Sequence, residues 1–295
     1  MPRVSVLMPA YNAEKYISDA INSVLKQSFT DWELIIIDDC SSDNTGGICD
    51  EFACADNRII VYHMSENLGI SEAKNQALYK ASGDYIAFCD DDDIMEKDTL
   101  LDNISLVDKY KPQIVRWSYK TIRVDEGGNI TSVGDTICND GIYHNREEIF
   151  KNYKNIHTML SCDWTALYSR HFLKEHGLVF NNSFKFGGED TEFNIRTLEY
   201  AEKIVMSSAN YYNWYLRKKH STTAKRNINF CYSMIEVANR EQRLIQQNCF
   251  DGDSVWKKYE IFYKKLILDY ARNLSDDDKE IIVNIMKNSN WYNIS

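Results

Sequence analysis

Apolar positions in the first third of this 295-residue chain follow two alternating patterns. Short unbroken runs occupy Val4 to Met8, Glu33 to Ile37, Ile59 to His63 and Tyr85 to Cys89. Runs of that kind, without a polar face, are what strands buried on both sides look like. Between them the apolar residues recur at three and four. Ile17, Ile21, Val24 and Leu25 form one helical stripe within Tyr16 to Gln27. Ala73, Ala77, Leu78 and Ala81 form a second within Ser71 to Ala81, and Leu100, Leu101, Ile104 and Val107 a third. This alternation predicts an α/β fold with a mostly parallel, Rossmann-like sheet flanked by helices. Right-handed crossovers then gather the loops after the strands, with Pro9 ending the first, along one edge.

After Pro112 the pattern changes. Ile114 to Val124 reads as a strand, 125–129 as a turn and Ile130 to Val133 as its hairpin partner. A strand through Leu167 follows, then a short helix from Arg170 to His176 closed by Gly177, and a helix from Thr191 to Tyr200 behind Gly187 and Gly188. Val205 to Tyr215 reads as the last strand of the core, its end crowded by Tyr211, Tyr212, Trp214 and Tyr215. Helical periodicity then runs through Ile228 to Cys249 and Trp256 to Tyr270, with Asp276 to Asp278 capping a final short helix. The predicted division is a core of residues 1–223 and a helical C-terminal extension, 224–295, packed on it.

Composition narrows the class. The chain is 44% hydrophobic, enough to bury a large core, and no apolar window is long enough to cross a bilayer. The first strand begins within four residues of Met1, leaving no room for a secretion leader. Eight cysteines without a CxxC pair point to reduced thiols in a cytoplasmic protein rather than to structural zinc. Net charge is -10, and the acid excess lies in the first two thirds of the chain. That argues against a nucleic-acid partner, as does the lack of a basic track beside the acids. The more basic stretch after it suits an anionic partner or a membrane face.

The loops predicted at the strand ends are polar: Ala10, Tyr11 and Asn12 after the first, Asp38 to Asp43 after the second, and four aspartates, Asp90 to Asp93, after the fourth. The first lacks the glycine-rich turn of a dinucleotide site. Four packed carboxylates repel one another and lose hydration, so they call for donors or a divalent cation. Farther on, Asp190 falls in the first turn of a helix behind two glycines, where a carboxylate is favoured.

Taken in order, VSVLMPAYN (Val4 to Asn12), IIIDDCSSD (Ile35 to Asp43), NLGISEAKN (Asn67 to Asn75), Gly83 to Asp93 and GEDTEFNIR (Gly188 to Arg196) make the chain resemble the inverting GT-A fold glycosyltransferases of family 2 over roughly its first 220 residues. The resemblance implies that Pro9, Ala10, Tyr11 and Asn12, with Asn67, line a nucleotide-sugar donor site, and that Asp39 accepts from a uracil NH. It places Lys74 near the nucleotide or its phosphates. Asp90 and Asp92 match an Asp-any-Asp signature with Asp91 as spacer. Asp92 is then the direct ligand of Mn2+ or Mg2+, and Asp90 contacts the ribose or a metal-bound water. Arg217, Lys218, Lys219 and His220 would close over the diphosphate, with His220 a candidate further metal ligand.

Asp190 matches the general base, with Glu189 orienting the acceptor or the loop. Asp163, Trp164 and Trp214 are candidates for an acceptor-sugar platform, against the alternative of core aromatics. The implied activity is metal-dependent inverting transfer of a hexose or N-acetylhexosamine from a UDP-sugar to a glycan or lipid-linked saccharide. The alternatives are a GDP-, dTDP- or CDP-sugar donor, or a non-catalytic nucleotide-sugar or glycan-binding protein. The extension stays open between peripheral contact with the inner face of the cytoplasmic membrane, a homodimer surface and a covering pair of helices.

Overall fold

The computed structural model describes residues 1–185, 187–217 and 228–289. Strands β1 (Val4–Ala10) and β2 (Trp32–Asp38) are buried at every position and pair in parallel from Val4 opposite Trp32 to Ala10 opposite Asp38. β3 (Ile59–His63) adds in parallel to β2, and β4 (Tyr85–Phe88) to β1. Helices α1 (Ile17–Leu25), α2 (Thr45–Ala55) and α3 (Ile70–Lys80) make the crossovers. The order β3-β2-β1-β4 is the parallel, Rossmann-like part of the sheet, and its strand ends feed the polar loops.

Pro9 does not end β1. Its neighbour Leu7 receives the Cys89 N–H on the β4 side. Two residues on, the imide nitrogen of Pro9 faces the same way, where β4 has already stopped, so no ladder hydrogen bond is lost. The helix α2 has no counterpart in the periodicity, because only Thr45 and Cys49 are buried on it. Its Gly46 is required by packing: a Cβ there would sit 2.8 Å from Asp38 Oδ2.

Beyond β4 the sheet becomes mixed. β9 (Ala166–Ser169) runs antiparallel between β4 and β6 (Ile114–Val124). β6 pairs in parallel with β10 (Ile204–Arg217) and forms a hairpin with β7 (Ile130–Thr136). Two short strands, β5 (Ile94–Met95) and β8 (Gly141–Tyr143), lie antiparallel on β10. A buried apolar strand reads the same in either direction, so the reversal of β9 leaves no mark in the hydrophobic pattern. Helix α4 (Thr99–Tyr110) precedes β6 in the chain, α5 (Arg146–Lys151) and α6 (Tyr153–His157) come between β8 and β9, and α7 (Arg170–Glu175) and α8 (Glu189–Tyr200) between β9 and β10.

The extension consists of α9 (Ile228–Asn248), α10 (Gly252–Ala271) and α11 (Asp276–Asn288), and α9 packs on α8, α5 and α10. α9 buries Phe230, Cys231, Met234, Ile235, Val237, Ala238, Leu244 and Ile245. It also buries Glu241 completely. Glu241 accepts from Tyr153 at 2.6 Å and from the Tyr263 hydroxyl, and pairs with His157 Nε2 at 3.2 Å. Among the described residues no helix is long and apolar enough to cross a membrane.

Candidate active site

The ends of β1, β2, β4 and β10 enclose a cleft of about 380 Å³. Of the expected donor residues, Pro9, Ala10, Tyr11, Asp39 and Asn67 line one side of it, and Asp90, Asp91, Asp92 and Arg217 another. Trp214 lines it too. Sequence reasoning did not single out Gly69, Ile70, Ala73, Lys185 or Leu216 as site residues, although they also face it. Ile70 and Ala73 are spaced by three at the start of α3, a signal that would have placed both on one wall.

The loops are tied to each other by side chains. Asp39 accepts from the backbone N–H groups of Leu68 and Gly69 at 2.9 and 2.8 Å, which draws the α3 N-terminus onto the β2 end. Asn67 Nδ2 donates to the Asp39 carbonyl. Asp91, expected as the spacer of the acidic signature within the donor site, accepts from the Tyr11 N–H at 2.9 Å. Asp93 is buried and accepts from the Tyr215 N–H at 2.7 Å, bracing the acidic turn against β10. Asn12 holds a positive φ of 52° and turns its amide oxygen to the Ser42 N–H, so it links two loops and does not line the cleft.

Asp92 Oδ2 pairs with Arg217 Nη1 at 2.8 Å, and the same nitrogen donates to the Asp92 carbonyl at 2.7 Å. The guanidinium also lies 4.1 Å from the centre of the Tyr16 ring. Arg217 is therefore held over the acidic turn by charge and by an aromatic face. His220, like Lys218 and Lys219, lies outside the described residues.

Three expectations need correction. Lys74 is not at the cleft wall: it is 1% exposed, with Nζ 2.8 Å from Asp163 Oδ2 and 2.6 Å from Asp190 Oδ1. Asp163, expected to meet an acceptor, is fully buried as the counter-ion of Lys74. Trp164 is 4% exposed and offers no sugar platform. It stacks on Tyr212 at 4.3 Å and meets Tyr119 edge-on, and the Tyr212 hydroxyl accepts from the Asp90 N–H at 3.0 Å. A flat ring packed between two others supports the acidic turn from beneath.

Asp190 lies in the first turn of α8, behind Gly188. Gly188 has φ of 90°, which favours glycine, and a Cβ there would lie 3.1 Å from Met234 Sδ of α9, so a side chain would also have to displace that methionine slightly. Burial pushes the neighbouring Glu189 carboxyl up to about 8, with the Asp190 charge adding to it. Burial likewise lifts Asp90 to about 7, against the pull of Lys74 and with Asp190 and Asp92 pushing the same way. Asp91 and Asp93 are raised for the same first reason. Burial alone would lower Lys74, but Asp163, Asp190, Asp90 and Glu189 hold it well above the lysine range.

Asp90 Oδ1 is buried without a hydrogen-bond partner. An orphaned carboxylate oxygen among other acids, in a wall of hard oxygen donors, fits a divalent cation. No group of three or more His, Cys, Asp or Glu side chains that could hold a metal ion occurs among the described residues. A cation here would take one or two protein carboxylates and fill its remaining positions from a diphosphate and water.

Residues 5–177 match the model of Glycosyl transferase family 2, a span that ends before Asp190. The poly(ribitol-phosphate) β-N-acetylglucosaminyltransferase TarS of Staphylococcus aureus is 29% identical over 215 residues, covering 72% of this chain and 35% of TarS. The UDP-Glc:α-D-GlcNAc-diphosphoundecaprenol β-1,3-glucosyltransferase WfgD of Escherichia coli is 40% identical over 143 residues, 48% of this chain and 54% of WfgD. The chain thus spans well under two thirds of either relative. The crystal structure of a TarS fragment with UDP-GlcNAc superposes with a TM-score of 0.67 at 24% identity, covering 83% of this chain and 71% of that one. A mannosyltransferase from Pyrobaculum calidifontis, in complex with GDP-Man and Mn2+, does so at 0.57 and 15% identity, covering 96% and 79%. The family model covers more than half of the chain and the sheet carries the GT-A arrangement, so this chain belongs to glycosyl transferase family 2.

Proposed function

We propose that this chain transfers a hexosyl or N-acetylhexosaminyl group from a UDP-sugar to a hydroxyl of a glycan or lipid-linked saccharide, with inversion. The observation that carries this reading is the pairing of an acid-walled cleft with a separate carboxylate, Asp190, held at 2.6 Å by a buried lysine. A protein that only bound a nucleotide sugar would not need that carboxylate. Pro9, Ala10 and Tyr11 hold the base together with Asp39, whose oxygens keep lone pairs beyond the two backbone N–H groups they accept. Asp92 and Asp90 would hold Mn2+ or Mg2+, which when bound offsets the charge that grows on the departing diphosphate. Arg217, already over Asp92, places a further positive charge beside that diphosphate.

Asp190 accepts the proton of the acceptor hydroxyl as its oxygen attacks the anomeric carbon from the face away from the diphosphate. Glu189, pushed up to about 8, is mostly protonated at neutral pH and can donate a hydrogen bond that orients the acceptor or the loop. Trp214, with Tyr215 next to it, lines the cleft and offers an aromatic face to a sugar. TarS has been crystallised with UDP-GlcNAc and WfgD is named for UDP-Glc, which supports UDP as the carrier. The mannosyltransferase with GDP-Man supports a GDP-sugar as the second reading. We further infer that residues 1–223 form the catalytic unit and 224–295 a helical extension packed on it. Isothermal calorimetry with UDP-, GDP-, dTDP- and CDP-sugars, each with and without Mn2+, tests donor and metal together. A UDP-sugar should bind with measurable heat, and more tightly with Mn2+. Preference for another base would overturn the donor assignment, and equal affinity with and without Mn2+ would overturn the metal.

A further inference from the structure

A lysine that recruits phosphate needs to reach solvent, and Lys74 does not. Its ammonium sits on the inner side of α3 at 1% exposure, closed in by the rings of Phe180 at 5.0 Å and Phe88 at 5.9 Å. Two carboxylates complete the enclosure, Asp163 from the segment before β9 and Asp190 from the first turn of α8. Three parts of the fold that are distant in sequence thus meet on one charge.

We propose that Lys74 is a positioning residue for the transfer reaction, one that fixes the Asp190 carboxylate and sets a positive charge beside it, with Asp163 as its permanent counter-ion. The proposal rests on the reading of Asp190 as the base. A buried ammonium is tolerable only when paired, and the fully buried Asp163 satisfies that need on its own. The contact with Asp190 is therefore an addition. It commits Oδ1 to a charge-assisted bond, so that Oδ2 is the oxygen that can face an acceptor hydroxyl. The groups that face this pair are the carboxyls of Asp90, Asp163 and Glu189, the Cys162 thiol and the Tyr168 phenol. All of them are neutral or negative. Without the lysine, Asp190 would stand among three other acids with no cation beside it.

The test is steady-state transfer across pH 5.5 to 9 for Lys74→Met, with calorimetry of UDP-sugar binding alongside. Loss of the cation should move the acid limb of kcat up by about one pH unit or more, because a neighbouring cation lowers an aspartate by roughly 1–3 units. Transfer should then fall below the parent's progressively as pH drops toward 5.5, with donor affinity within about twofold of the parent. Should Lys74→Met fail to fold because Asp163 is stranded, Lys74→Met with Asp163→Asn removes both buried charges and is read the same way. An unchanged acid limb in the folded variant, or a loss of donor affinity with kcat preserved, would overturn the proposal. The second result would return Lys74 to the diphosphate. Asp190→Asn in the same assay separates the two layers: if it still transfers at near-parent rates, the base reading itself fails, whatever Lys74 does.

Discussion

Asp90 carries the sharpest conflict between stability and function in this chain. One oxygen is buried without a partner, and its carboxyl is pushed up to about 7 by burial and by its acidic neighbours. A carboxyl whose folded value lies above its unfolded one binds more protons in the native state between the two values. Its contribution to stability is therefore lost as pH rises from about 4 to about 7. The metal-free Asp90→Asn variant should accordingly unfold a few degrees higher than the parent at pH 8, with little difference at pH 5, by thermal melts in chelator. The same variant should lose Mn2+-dependent donor binding by calorimetry. Equal melting temperatures at pH 8 would mean that the orphaned oxygen costs nothing. Asp39, Asp90 and Asp92 could be singled out in the sequence because polar residues at the ends of apolar strands have few structural reasons to be there, whereas Asp190, in a first turn that favours a carboxylate anyway, stood out through the resemblance to family 2. The resemblance placed Lys74 near the nucleotide or its phosphates, and no short window of sequence shows that the segment around 163 and the helix at 190 close over it.

α9 holds the site from behind. Met234 abuts Gly188, and Arg240 pairs with Glu199 at 2.7 Å on the same helix that presents Asp190. Its buried Glu241 ties α6 and α10 to it through Tyr153, His157 and Tyr263. Replacing Glu241 with Leu strands two buried hydroxyls and a histidine, and should cost about 3 kcal/mol in urea unfolding. A change below about 0.5 kcal/mol would show that water or a rearrangement satisfies them. The helical stripe of α9 was plain in the chain, whereas Glu241 looked like any charged residue on a helix. α2 went unseen for the opposite cause, since a helix with two buried residues and two glycines has no stripe to read.

Helix α9 shares a buried interface with α8 and α5, so the chain before it is not expected to stand alone. A chain ending at residue 223 would uncover the faces of α8 and α5 that α9 packs on, including Ile149 and Phe150 of α5 and the carboxylates of α8 that Arg240 pairs with. It should bind a hydrophobic dye and lose its cooperative thermal transition, and a sharp melt near that of the full chain would refute this. The sequence by itself determined the alternation of buried strands and helices, the polar loops along one edge and the acids that crowd them. Those follow from local periodicity and from the cost of placing charge at strand ends, both of which are written in short windows. Only the tertiary structure decided that β9 runs antiparallel, that Trp164 supports the acidic turn instead of meeting a sugar, and that Lys74 belongs to Asp163 and Asp190. Direction, burial and ion pairing between residues about 90 to 120 positions apart depend on how the chain closes on itself.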